Sequence, residues 1–113
     1  MRIEFRTTRL KQICEIFRLG SREWGDQVAR KVVQRLNELA SASSLSVMSR
    51  LAPGARAHPL KGSFSGQCAV RLHGGYRLRL RPANPPEEYE TPAGADLTKI
   101  TAIEILEVED YHG

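Results

Sequence analysis

The stretch from Gln67 to Arg81 constrains this chain more than any other. Two alternating runs, Gln67–Leu72 and Tyr76–Arg81, flank His73-Gly74-Gly75. If those three residues form the loop, Leu72 faces Tyr76, Val70 faces Leu78 and Cys68 faces Leu80. One face of the hairpin is then apolar. The other carries Gln67, Ala69, Arg71, Arg77, Arg79 and Arg81. A two-residue Gly74-Gly75 turn would set Leu72 against Arg77 and mix the faces. A one-residue slip moves every side chain to the opposite face, so the three-residue loop is the predicted one. The same register puts Arg71 opposite Arg77, two like charges ~5.5 Å apart that repel by roughly 0.5–1 kcal/mol in water. Stability alone does not select an arginine-lined face. It calls for an anion, either the protein's own carboxylates or a phosphate chain.

The flanking segments are read against that hairpin. Residues 2–6 alternate with Ile3 and Phe5 on one side, a short strand. Thr7 or Thr8 can cap a helix over 8–19 with Leu10, Ile13, Cys14 and Phe17 on its apolar stripe and Gly20 ending it. Ser21 can cap a second helix over 22–41, with Val28, Val32, Leu36 and Leu39 inward and Gly25 a weak point. The opposite face of that helix, Arg30, Lys31, Gln34, Arg35 and Glu38, is read as solvated. In the Ser-rich stretch 41–50, Leu45 and Met48 can dock one short turn, and the Pro/Gly-containing 51–62 is an ordered loop. The seventeen residues 82–98 show no periodicity and read as a mobile, acidic hairpin tip. Ile100–Val108 is almost continuously apolar and suits a central strand covered on both sides.

The expectation is one domain over residues 1–113, of mixed α+β class. An N-terminal strand and two helices pack on the apolar face of an antiparallel sheet of three to four strands, leaving the arginine face open.

Charge is distributed unevenly. Residues 1–81 hold 16 Lys or Arg against 5 Asp or Glu, and residues 82–113 hold 1 against 8. An electropositive body points to an anionic partner such as nucleic acid, while an acidic segment folded back on it would do equally well. No apolar run reaches the ~20 residues that span a bilayer, and the first eleven residues have no signal-peptide character. No membrane role is expected, and the expected location is cytoplasmic. Cys14 and Cys68 lie far apart without metal-ligand spacing and read as buried hydrophobes in a reducing compartment. No metal or cofactor is expected.

The polar residues that could carry chemistry are His58, Lys61, Arg77, Tyr111 and His112, beside Arg71, Arg79 and Arg81. Taken singly, each has a plain reading as a surface, loop or chain-end residue. Together the types suit metal-free RNA cleavage. A base takes the 2′-OH proton, cations stabilise the phosphorane, and an acid protonates the departing 5′-oxygen. Histidine, with an ordinary pKa near 6.5, can serve on either side of that step.

The order His58-Pro-Leu-Lys61-Gly62, then Val70-Arg-Leu-His-Gly-Gly-Tyr76-Arg77-Leu78, then Asp110-Tyr111-His112 resembles the HigB-type toxins (plasmid maintenance killer proteins) of the RelE/ParE superfamily. The resemblance spans the whole chain. It implies a RelE-like fold and a type II toxin-antitoxin toxin that cuts mRNA in the ribosomal A site. A HigA-like helix-turn-helix antitoxin would neutralise it and connect it to operator DNA. By the same resemblance His58, Lys61, Tyr111 and His112 are catalytic, Arg77 holds the scissile phosphate, and Asp110 orients its neighbours. Arg71, Arg79 and Arg81 are the candidate RNA contacts. Cys68 stands where many members have tryptophan, and the 82–98 insertion is similar to that of a longer subgroup labelled killer suppression proteins. Two alternatives stay open: a ParE-like inhibitor of DNA gyrase, and a module that binds RNA or a partner without cutting.

Overall fold

The computed structural model describes residues 1–111. A five-stranded sheet has the order β1-β7-β4-β3-β2, with β1 (Arg2–Phe5) parallel to β7 (Ala102–Asp110). The remaining neighbours, β4 (Tyr76–Pro82), β3 (Cys68–Arg71) and β2 (His58–Pro59), pair antiparallel. Four helices, α1 (Thr8–Glu15), α2 (Phe17–Trp24), α3 (Asp26–Ser41) and α4 (Leu45–Leu51), complete the mixed α+β fold.

The hairpin register is the predicted one: Cys68 pairs with Leu80, Val70 with Leu78 and Arg71 with Arg77. Leu72 N–H donates to the Tyr76 carbonyl at 3.0 Å, and Gly74 takes the positive φ that the three-residue loop requires. The apolar face drives this choice, because Val70, Leu72, Leu78 and Leu80 are all buried in one cluster with Val28, Val32, Leu39 and Met48 of the helices. Ile103, Ile105, Leu106 and Val108 are buried as well, and β7 lies inside the sheet between β1 and β4. It is not covered on both sides as expected: Glu104, Glu107 and Glu109 pair with Arg81, Arg79 and Arg77 on the arginine face. The adjacent Ile105 and Leu106 mark a bulge, where Leu106 is skipped in the pairing with β4.

The helical region differs from expectation at its glycines. The 8–19 helix breaks at Ile16, which is extended (φ −101°, ψ 104°), and Gly20 lies inside α2 instead of ending a helix. A Cβ on Gly20 would meet the Ile13 carbonyl oxygen at 2.9 Å and Ala29 Cβ at 3.3 Å. The residue is glycine because three helices converge there. Gly25, at φ +86°, is the joint between α2 and α3, so the second helix starts at Asp26 and not at 22. Ser21 accordingly caps nothing; its hydroxyl donates to Asp26 Oδ1 at 2.7 Å. Phe17 is left 41% exposed beneath Arg30, outside the apolar stripe.

Gly20→Ala weighs two opposed effects. Alanine gains roughly 1 kcal/mol in helix propensity, but a backbone oxygen at 2.9 Å cannot swing aside. Overpacking of this kind typically costs about 1–3 kcal/mol. The expected result is a lower midpoint in urea unfolding, and a raised midpoint would contradict the close-approach explanation.

Two further expectations change. Arg35 is not solvated: it is 5% exposed, donates from Nε to the Arg71 carbonyl at 2.8 Å, and pairs through Nη1 with Glu38 at 2.8 Å. It therefore ties α3 to the end of β3. The 82–98 segment is also more structured than a loose tip. It contains the two-stranded ribbon of β5 (Glu90–Thr91) and β6 (Gly94–Ala95). The Asn84 side chain anchors its base by accepting from the Thr101 and Ala102 amides at 2.9 and 3.0 Å. Short polar side chains satisfying backbone donors replace the missing hydrophobic periodicity.

Candidate functional site

The open face of β3 and β4 carries the arginines. Glu109, on β7, sits opposite Arg77 in register and accepts from its Nε at 2.7 Å. The other carboxylate oxygen accepts from Arg79 Nε and Nη2 at 3.3 and 3.2 Å. Arg79 Nη1 donates to Gln67 Oε1 at 2.8 Å, and the Phe64 ring lies 4.2 Å from the Arg79 guanidinium carbon. Burial pushes the Glu109 carboxyl upward, but hydrogen bonds and charge from Arg77 and Arg79 outweigh it and hold it below the usual carboxylate value. The protein's own carboxylate thus answers the like-charge problem. Two guanidiniums share one carboxylate, so the trio keeps a net positive charge.

Beside this trio lies a cleft of about 610 Å³, walled by Arg56, His58, Arg71, Gly74, Arg77 and Tyr111. The 3-10 turn at Pro53–Ala55 and the two residues of β2 deliver Arg56 and His58 to one rim. The hairpin supplies Arg71, Gly74 and Arg77. Tyr111 is tied to the hairpin loop by its amide, which donates to the Gly75 carbonyl at 3.1 Å, and its ring lies 4.9 Å from the Arg77 guanidinium carbon. A cation against an aromatic face is attracted by the ring quadrupole. His58 Nδ1 lies 2.7 Å from the Arg56 carbonyl oxygen. Arg56 is the one non-glycine residue among those described with a positive φ (47°, with ψ 48°), a conformation costing such residues roughly 1–2 kcal/mol.

The structure therefore brings four of the sequence-derived residues, His58, Arg71, Arg77 and Tyr111, around one cavity. Lys61 is exposed ahead of the Gly62–Phe64 turn and is not among the residues lining the cleft. Arg79 is buried, with Nε, Nη1 and Nη2 all engaged by Glu109 and Gln67, so it is not the open phosphate contact expected. Arg81 pairs with Glu104 at 2.6 Å, farther along β4 and outside the cleft wall. Asp110 ends β7 opposite Tyr76 and is exposed. His112 lies outside the described residues. Sequence reasoning missed Arg56, Phe64 and Glu109. For Glu109 a signal existed, since an acidic residue at the end of an apolar strand suits the neighbour of an arginine-lined one. Among the described residues no three His, Cys, Asp or Glu stand close enough to hold a metal ion.

Such a cavity can bind an anion on guanidiniums and exchange a proton with it at an imidazole. No protein-family model matches the sequence, and no curated protein is similar to it. Among solved structures, the chain is similar to a YoeB/ParE toxin from Agrobacterium tumefaciens, with a TM-score of 0.55 over 98% of this chain and 99% of that one. The two share the fold. At 10% identity the likeness extends no further than architecture. No helix among the described residues is long and apolar enough to cross a membrane.

Proposed function

We propose that this chain is a single-domain toxin of a type II toxin-antitoxin system, of HigB type, that cleaves mRNA on the ribosome without a metal. The observation that carries this reading is the convergence of His58, Arg71, Arg77 and Tyr111 on one cleft in a chain with the fold of a YoeB/ParE toxin. A phosphodiester is held by Arg71 and Arg77, whose positive charge grows in value as the phosphorane forms. The 2′-oxygen loses its proton and bonds to phosphorus, the bond to the 5′-oxygen breaks, and that oxygen takes a proton. His58, Lys61, Tyr111 and His112 are the groups assigned to move those protons and to stabilise the charge, with Asp110 orienting the terminal pair. The partners that go with this function are mRNA in the ribosomal A site and a HigA-like antitoxin that links the toxin to operator DNA; its place is the cytoplasm.

Expression of the chain without its antitoxin is expected to arrest growth and to leave cuts within translated reading frames, mapped by primer extension. Lys61→Ala and His112→Ala should each abolish both effects; full toxicity in either would remove that residue from the mechanism. The second reading, a module that grips RNA without cutting it, draws on the position of Lys61 outside the cleft wall. It predicts salt-sensitive RNA binding and intact messages on programmed ribosomes.

A further inference from the structure

We infer that Arg56 is a positioning residue for His58 and acts through its main-chain carbonyl, held by a left-handed backbone, so that Nε2 is the imidazole nitrogen that exchanges protons in the cleft. The consequence for cleavage rests on the function proposed above; the geometry does not.

The backbone at Arg56 is set from both sides. Its N–H donates to the Pro53 carbonyl at 3.1 Å, closing the turn, and the preceding Ala55 is fully buried. Two residues later His58 is already paired with Ala69 at the sheet edge. The chain must pass from a helical turn to an edge strand within that span, and a left-handed residue makes the reversal. Ending a helical turn this way is common, but the position is normally glycine or asparagine. The plain reading as a turn terminator accounts for the dihedral angles. It does not account for where the Arg56 carbonyl then points, 2.7 Å from His58 Nδ1.

A carbonyl oxygen carries no proton, so Nδ1–H is the donor of that bond. The hydrogen stays on Nδ1, and proton exchange falls to Nε2. This is the usual way one ring nitrogen of a histidine is set by the bond that the other makes. A misplaced imidazole proton costs a general base far more than a lost surface charge does.

The test uses the full chain labelled with nitrogen-15 and a long-range proton–nitrogen correlation spectrum at pH 8.5, with His58 assigned through His58→Gln. The expected spectrum shows Nδ1 protonated and Nε2 bare. Arg56→Gly, which adopts a positive φ freely, should keep that pattern. Arg56→Val, whose β-branched side chain is a steric outlier there, should lose it, and should cut translated mRNA at least tenfold more slowly than Arg56→Gly. A wild-type His58 protonated at Nε2 overturns the inference, as do Gly and Val variants equally slow with the same tautomer. Should Arg56→Val fail to fold, the wild-type and Arg56→Gly spectra decide. A protein that shows the expected tautomer but never cuts RNA refutes the proposed function and leaves the positioning role standing.

Discussion

Replacing Glu109 with alanine is expected to destabilise the protein by about 3 kcal/mol, the low end of the loss for removing one partner from a buried ion pair, because the carboxylate itself is 23% exposed. The size follows from what remains behind. The Arg77 and Arg79 side chains are only 15% and 10% exposed, and both pair with this single carboxylate. Without it two guanidiniums stand side by side, with Arg71 directly across the hairpin from Arg77. In a domain of this length such a loss lowers the melting temperature by roughly 10–20 °C, readable by circular dichroism. A surface ion pair would change it by a small fraction of that. The contrast is available in the same molecule. The Arg2–Glu4 pair has both side chains exposed, at 65% and 49%, and Glu4→Ala should be nearly silent. Equal effects at the two sites would contradict the account of Glu109 as the group that neutralises the arginine face.

The pH dependence of Glu109 has a definite sign. Its carboxyl is held below the ordinary value of 4.5 in the folded protein. At acid pH the unfolded chain therefore binds the proton more readily than the folded one. Its stabilising contribution is complete above that value and is lost as pH falls through it toward the lower folded value. Chemical denaturation at a series of pH values between about 6 and 3 should show wild type losing stability faster than Glu109→Gln, which has no such proton to take up. Parallel curves would show that the carboxylate is not held by its two arginines.

For activity, the largest expected loss is at His58. A positioned general acid or base contributes about 10²–10⁴-fold to a rate, so His58→Gln should slow cleavage of translated mRNA by at least a hundredfold while the protein stays folded. The fold is insulated from this change because the His58 side chain is exposed and makes its bond to the adjacent Arg56 carbonyl. The measurement is single-turnover cleavage on programmed ribosomes, alongside a melting curve. A loss under threefold in a folded variant would remove His58 from the chemistry and favour the binding-only reading.

How far the molecule was legible in its sequence depends on the range of the interactions concerned. The hairpin register followed from period-two alternation over a few residues, because only one pairing puts Cys68, Val70, Leu72, Tyr76, Leu78 and Leu80 on the same side. The interior position of β7 followed from its nearly continuous apolar run, whereas the arginine partners of its interspersed glutamates did not. Periodicity misled where it met glycine. Gly20 and Gly25 are both helix breakers by propensity, yet only Gly25 takes a conformation that requires glycine; Gly20 is set by the crowding of three helices. Arg35 had the sequence signature of a solvated charge. Its burial depends on a carbonyl 36 residues away.

The sequence by itself determined the mixed α+β class, the arginine-paved sheet face and its need for an anion, because those depend on side-chain alternation between adjacent strands. Only the tertiary structure decided which anion answers that need within the chain, which arginines stay on the cleft wall, and which nitrogen of His58 carries the fixed proton. Glu109 lies 32 residues beyond Arg77, and the Arg56 carbonyl is aimed by a turn pinned between a buried alanine and a sheet edge. Long-range pairing and backbone direction of that kind leave no periodic trace in a chain, since they are fixed by packing and not by local preference.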